Sequence, residues 1–170
     1  MINELRVRDA VADDAEWMLP LNNAAAPAVN TLTAGALREL LSWSAPCLVA
    51  EAGDAAAGFV LALPGPGLMY PSDNYRRFSE DFDAFLYVDR VVVDPEMRSR
   101  GLGAALYGEL SSRAEGNWPR ICAEVNVRPP NPRSLAFHER HGFQVVGEQD
   151  TEGGVKRVTL LERELTADVA

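Results

Sequence analysis

The stretch Val91 to Leu106, VVVDPEMRSRGLGAAL, limits what this chain can fold into more than any other. Three β-branched residues make a strand. Asp94-Pro95 ends it in a turn. Leu102, Ala105, Leu106 and Leu110 then recur at helical spacing, and Gly101 and Gly103 sit where that helix begins. A strand running through a tight turn into a glycine-rich helix start aims the unpaired first-turn N–H groups at one spot. The positive end of the helix dipole lies there too, so the spot is suited to phosphate oxygens. Arg98 and Arg100 add charge beside it. The pattern is not a nucleotide P-loop, because no G-x-x-x-x-G-K-S/T occurs. It is not a dinucleotide fingerprint either, since Leu106 stands where the third glycine would be.

The remaining elements follow from periodicity and caps. Leu5 to Val11 alternates as a first strand. Asp13 and Asp14 suit the cap of a helix through Trp17, Met18 and Leu21, with Pro20 limiting or bending it. Thr33 suits the cap of a second helix carrying Leu37, Leu40 and Leu41. Cys47 to Ala50 and Ala57 to Leu63 read as strands joined at Gly53-Asp54. Leu68 to Asp83 reads as a long irregular segment, the kind that serves as a lid or binding loop. Ala84 to Val93 is a strand and Gly101 to Ala114 a helix. Ile121 to Val127 is another strand. Asn131 with Pro132 starts a helix ending at Gly142, and Phe143 to Gly147 and Val155 to Glu164 close the chain as strands. The order predicts a mixed α/β fold in one domain over 1–170, with 68–83 as a substrate-side loop.

Charge and cysteine content narrow the function. Sixteen Lys and Arg against 25 Asp and Glu leave a formal charge of −9, which disfavours nucleic acid and favours a cationic partner. Cys47 and Cys122 are too few for a disulfide scaffold and lack a metal-ligand spacing, so no metal is expected. No apolar run approaches the roughly 20 residues needed to cross a bilayer, and MINELRVRDA has no signal-peptide core. The expectation is a cytoplasmic protein with no membrane partner.

Arg98-Ser99-Arg100-Gly101-Leu102-Gly103, with Ala104 beyond, resembles the R/Q-x-x-G-x-G/A signature of the GNAT family, the Gcn5-related N-acetyltransferases. Downstream, Asn131-Pro132-Arg133-Ser134 followed by Leu135-Ala136-Phe137-His138-Glu139-Arg140-His141-Gly142-Phe143 is similar to the family's N-x-x-S/A…F-Y-x-x-x-G-F segment. The resemblance implies a mostly antiparallel central sheet flanked by helices, with a splayed strand pair that admits acetyl-CoA. It implies that the pyrophosphate rests on Arg98 to Ala104 and that the pantetheine arm pairs with Val91, Val92 and Val93. Asn131 and Ser134 would lie along the same cofactor. This sequence departs from the family at His138, where tyrosine is usual.

Acetyl transfer to an amine needs a proton acceptor, a donor to the carbonyl oxygen and, for some leaving groups, a proton donor. A backbone N–H of Val91 to Val93 serves the oxygen. Asp89 is the first candidate base, near the family's acidic strand position, with an ion pair to a nearby arginine as its plain structural alternative. Glu124, on the neighbouring strand, is the second candidate. His138 is the candidate acid, since its reference pKa near 6.5 suits neutral pH. His141 reads as a helix-end residue and Tyr107 as packing. The implied activity is acetyl transfer from acetyl-CoA to a primary amine of a small, cationic molecule. An acetyltransferase of a protein amine and a non-catalytic acyl-CoA-binding module are the competing readings, and a homodimer stays open.

Overall fold

The structure, a computed structural model, describes residues 4–165. Strand β1, Leu5–Asp9, is followed by a single 3-10 turn, Ala12–Asp14, and helices α1, Ala15–Ala24, and α2, Ala34–Trp43. Thr33 caps α2 as expected, its Oγ1 accepting the Ala36 N–H at 3.1 Å. β2, Cys47–Ala52, and β3, Ala55–Gly65, meet through the Gly53-Asp54 turn, where Gly53 takes φ +62°. Then come α3, Asp73–Asp81, β4, Phe85–Val93, α4, Leu102–Ala114, β5, Arg120–Arg128, and α5, Pro132–Arg140. β6, Gln144–Thr151, and β7, Lys156–Glu164, form the final hairpin. The seven strands are ordered β1-β2-β3-β4-β5-β7-β6. β1 with β2, β2 with β3, β5 with β7 and β6 with β7 pair antiparallel, while β4 and β5 pair in parallel. This is the expected mixed α/β class with a mostly antiparallel sheet. No helix among the described residues is long and apolar enough to cross a membrane.

The chain divides into two compact units, Met1–Leu63 with Val88–Ser112, and Pro64–Tyr87 with Arg113–Ala170. The first is built on β2, buried at all six positions, which explains why Cys47–Ala52 is nearly all apolar. Met18, Leu37 and Leu40 pack α1 and α2 into the same core as Leu48 and Phe59. Asp14 does not cap α1 with its side chain. Its carboxylate instead takes both terminal guanidinium nitrogens of Arg8 at 2.8 and 2.9 Å, the Val11 N–H at 2.7 Å and the Trp17 indole N–H at 2.8 Å. Arg8 also donates to Glu51 at 2.7 Å, and Arg6 reaches the same carboxylate.

The second unit corrects one expectation. The segment 68–83 is not irregular: residues Asp73–Asp81 form α3. Ser72 Oγ accepts the Tyr75 N–H at 3.2 Å, and Asp73 stands in the first turn where the dipole favours an acid. Tyr75 and Phe78, three residues apart, are buried at 3% and 0% exposure. Their rings pack on Phe85 and Tyr87 of β4 with centroids 5.7 to 6.1 Å apart. The Tyr75 hydroxyl donates to the Pro64 carbonyl at 2.7 Å and accepts the Leu68 N–H at 3.2 Å, which ties the preceding turn down. A Cβ at Gly65 would run into the Phe85 ring, so glycine is required there. The Arg120 guanidinium covers the Phe82 ring at 4.0 Å.

The Arg8 hydrogen bonds hold the Asp14 carboxyl well below the usual carboxylate range. A depressed folded-state pKa gives stability that is present above the ordinary value near 4. It is lost as pH falls through the folded value. Asp14→Ala should cost about 2 kcal/mol at neutral pH. It should also flatten the loss of stability below about pH 4. Urea melts of both proteins at neutral and acid pH measure this. An unchanged midpoint at neutral pH would remove the network from the list of stabilising features.

Candidate active site

The first unit carries the glycine turn. Asp94 donates its N–H to the Ala57 carbonyl at 2.8 Å, and its Oδ1 accepts the Glu96 N–H at 3.0 Å. One 3-10 turn, Pro95–Met97, follows. Ser99 and Gly101 then take left-handed backbone, φ +65° and +85°. Arg98, Ser99, Arg100 and Gly101 are all exposed. Buried Leu102 and Leu106 pin α4, and its first helical hydrogen bond runs from the Ala105 N–H to the Gly101 carbonyl at 2.9 Å. The N–H groups of Leu102, Gly103 and Ala104 precede that bond and have no helical acceptor. Left-handed backbone at the turn, forward-pointing N–H groups and two guanidinium groups form the donor set that a pyrophosphate takes. These residues therefore fit acetyl-CoA. On β4, Val92 is buried while Val91 and Val93 are half-buried. Gly58 of β3 lies so close that a Cβ there would stand 2.8 Å from the Val92 carbonyl oxygen.

Asp89, also in the first unit, takes its plain structural alternative. Its Oδ2 accepts the Arg90 Nε–H at 2.6 Å, and both side chains are about 95% buried or more. Arg90 donates onward to Asn22 Oδ1 at 2.9 Å and to the Asn30 carbonyl at 3.0 Å. That is the environment of a counter-ion.

In the second unit, Glu124 on β5 accepts the Tyr87 hydroxyl at 2.7 Å through Oε1. The register explains the meeting: Tyr87 pairs with Cys122, and Glu124, two residues on, shares the face of Cys122. β4 and β5 pair through Leu86↔Ile121 and Tyr87↔Cys122, a short ladder beside the long one between β5 and β7. Tyr87 was not singled out from the sequence as a site residue. The signal existed in its place on the aromatic strand AFLYVDRVVV, but the partner came from another strand.

Asn131 caps α5, its Oδ1 accepting the Ser134 N–H at 3.3 Å. His138 is buried, 3% exposed, between the rings of Phe137 and Phe143 at 5.6 and 5.2 Å. Its Nδ1 lies 2.7 Å from the Ser134 carbonyl. A carbonyl only accepts, so Nδ1 carries the proton and the neutral ring has its lone pair at Nε2. Burial lowers the His138 pKa below 6.5, with the Ser134 carbonyl opposing. The expectation of a proton donor near neutrality thus meets a ring held neutral. His141, at the end of α5, bonds the Phe137 carbonyl at 2.8 Å, and Tyr107 is buried packing in the first unit. Cys47 and Cys122 are buried thiols, and burial pushes the Cys47 thiol up to about 12.

A sequence model of the Acetyltransferase (GNAT) family matches residues 15–143. The chain belongs to the GNAT acetyltransferase family. Solved structures share the GNAT fold over nearly the whole chain. The ribosomal-protein-S18-alanine N-acetyltransferase from Escherichia coli superposes with a TM-score of 0.73 at 14% identity, covering 98% of this chain and 99% of that one. Ard1 from Thermoplasma volcanium gives 0.75 at 16% identity, with 95% and 98% covered. YncA from Salmonella typhimurium, solved with its cofactor acetyl-CoA, gives 0.68 at 21% identity, with 99% and 98% covered. No curated protein matches by sequence. The GNAT activity is acetyl-CoA-dependent acetyl transfer.

Gly103→Asp places a carboxylate among the first-turn N–H groups of α4. It should leave the thermal melt near wild type and weaken acetyl-CoA binding by at least about tenfold. Calorimetry reads the difference, and undiminished affinity in the folded variant would take the phosphate cradle away from this turn.

His138 supplies a pH test. A histidine whose folded pKa is lowered contributes stability that is whole above the ordinary 6.5 and declines as pH falls through it. Wild type should lose urea stability between about pH 7.5 and about pH 5.5. His138→Phe, which keeps an aromatic ring and removes the titration, should lose less. Equal losses would mean the ring protonates freely in the folded state.

Proposed function

We propose that this chain acetylates a primary amine of a small molecule, cationic at neutral pH, with Glu124 as the proton acceptor. The observation that carries this is the Tyr87–Glu124 hydrogen bond, 2.7 Å, which orients a half-buried carboxylate. The companion acid Asp89 is committed to Arg90. The reading takes both units as one acetyltransferase domain, in keeping with a family match that spans residues of each.

Acetyl-CoA supplies an acetyl thioester that an unprotonated amine attacks. The roles we assign are these. Arg98, Ser99, Arg100, Gly101, Leu102, Gly103 and Ala104 hold the pyrophosphate, and Val91, Val92 and Val93 align the pantetheine arm. The Asn131 side-chain oxygen caps α5, so its amide NH2 is the group for the pantetheine, with Ser134 close by. Glu124 takes the ammonium proton, directly or through a water, leaving a lone pair on nitrogen. The N–C bond forms, the C–S bond breaks, the sulfur leaves with the bonding electrons, and the second proton shed by nitrogen passes through solvent to the thiolate. A β4 backbone N–H donates to the carbonyl oxygen meanwhile. His138, held neutral with Nδ1–H on Ser134, supports departure of the thiolate without its help.

Two features favour a small cationic acceptor. The net charge is −9, and Glu80, Asp81 and Asp83 stand on and after α3. Residues 73–81 of the segment 68–83 form a helix packed on the Tyr87 face rather than an open strap, which favours a small molecule over a polypeptide. The reading needs no metal ion and places the protein in the cytoplasm.

A panel of polyamines, aminoglycosides, amino acids and short peptides, followed by free thiol release, tests this. Polyamines or other cationic amines should turn over, with rates that fall as salt rises. Glu124→Gln should lower kcat by about 10² or more with the acetyl-CoA KM little changed. Turnover of peptides alone would give the protein-amine reading. Absence of thiol release with every amine, despite tight acetyl-CoA binding, would leave a binding module.

A further inference from the structure

In the first unit, β3 carries a bulge. Ala50 pairs with Gly58 and Glu51 with Ala56, so Ala57 is an extra residue on β3. A bulge bends its strand and re-aims what the strand presents. Here the Ala57 carbonyl meets β4 and accepts the Asp94 N–H at 2.8 Å. Asp94 passes the constraint on. Its Oδ1 accepts the Glu96 N–H at 3.0 Å, and its carbonyl accepts the Met97 N–H at 2.9 Å. Arg98 to Gly101 come directly after, exposed and without helix or strand. Leu5 of β1 meets the far end of that turn: its Cδ1 lies 3.7 Å from where a Gly101 Cβ would stand. β1 is itself bound beside the bulge, since Glu51 accepts the Arg6 Nε–H at 2.9 Å and the Arg8 Nε–H at 2.7 Å.

We propose that Asp94 and Leu5 are positioning residues that hold the 98–101 turn in its phosphate-receiving shape before acetyl-CoA arrives, Asp94 from the β3 bulge and Leu5 from β1. The inference rests on the reading that the pyrophosphate sits on this turn. Ser99 is not a glycine, yet it takes φ +65°, a conformation that persists only where the surroundings impose it. Released from its two ends, the turn would spread over other conformers. Affinity then falls by the fraction of chains still in the receiving shape. The acid at position 94 also needs a reason. A carboxylate just ahead of Arg98 gives phosphate no attraction, so its value there is as an acceptor for main-chain N–H groups. Asparagine supplies the same acceptor without the charge.

The test uses the full chain with three variants, and calorimetry with acetyl-CoA. Asp94→Ala removes the acceptor and should weaken binding about five- to tenfold, in line with loss of one cap. Leu5→Ala, at a position 38% exposed, should keep the fold and weaken binding about threefold. Asp94→Asn should bind as tightly as wild type or more tightly. Hydrogen exchange should quicken at Met97 in Asp94→Ala and at Ala105, whose N–H bonds the Gly101 carbonyl, in Leu5→Ala, while β2 and β3 stay protected. S-acetylpantetheine, which carries the thioester and no pyrophosphate, should keep its kcat/KM in both alanine variants, whereas acetyl-CoA should lose in KM. Unchanged acetyl-CoA affinity in the folded alanine variants overturns the positioning role. So does an equal loss in Asp94→Asn, or an equal loss with S-acetylpantetheine. A wild type that acetylates no amine overturns the proposed activity alone, because calorimetry and exchange still decide Asp94 and Leu5. A wild type that binds no acetyl-CoA overturns both.

Discussion

A buried charge has to be answered by a partner, and the inner strands of this sheet carry two acids that obey the rule in different ways. Asp89 is answered by a guanidinium on the next residue, and Glu124 by a hydroxyl from the neighbouring strand. The first solution neutralises the acid and ties it into a network of amides and carbonyls. The second orients the carboxylate with a neutral hydroxyl donor. Charge assistance makes the Arg90 bond the stronger of the two. Two carboxylates of the same kind, on adjacent strands, are thereby given different chemical characters by their surroundings.

The aromatic cover of the second unit depends on the same sheet. Phe85 and Tyr87 point to one face, and α3 lays Tyr75 and Phe78 on them. Tyr87 takes part in both layers: its ring packs under α3 while its hydroxyl reaches Glu124. Packing therefore fixes the ring from which the hydrogen bond is made, and rigid placement of a supporting group is what keeps a carboxylate aimed.

Much of the glycine turn was legible in the chain. The Asp-Pro turn, the arginines and Gly101 predict a strand, a turn and a helix start, and all three form where expected. Each depends on local conformational preference, which neighbours along the chain express. Caps at Thr33 and Asn131 were readable for the same reason. α3 was harder. Its apolar residues are few, and Pro71 and the acids look like loop; the helix forms because Tyr75 and Phe78 find rings on β4, nine or ten residues on, beyond the reach of helical periodicity. Asp14 was read as a cap from its position, yet it serves Arg8, whose approach depends on β1 lying beside it.

The sequence by itself determined the family, the mixed α/β class and the glycine turn at the start of α4. These follow from short-range patterns of glycine, proline, charge and alternation. Only the tertiary structure decided which acid is paired and which is oriented, that His138 is neutral, and that Arg90 reaches Asn22 and Asn30. Arg90 stands next to Asp89, but burial of the side chains and the reach of Tyr87 to Glu124 and of Arg90 to Asn22, 37 and 68 residues along the chain, are not expressed in local sequence.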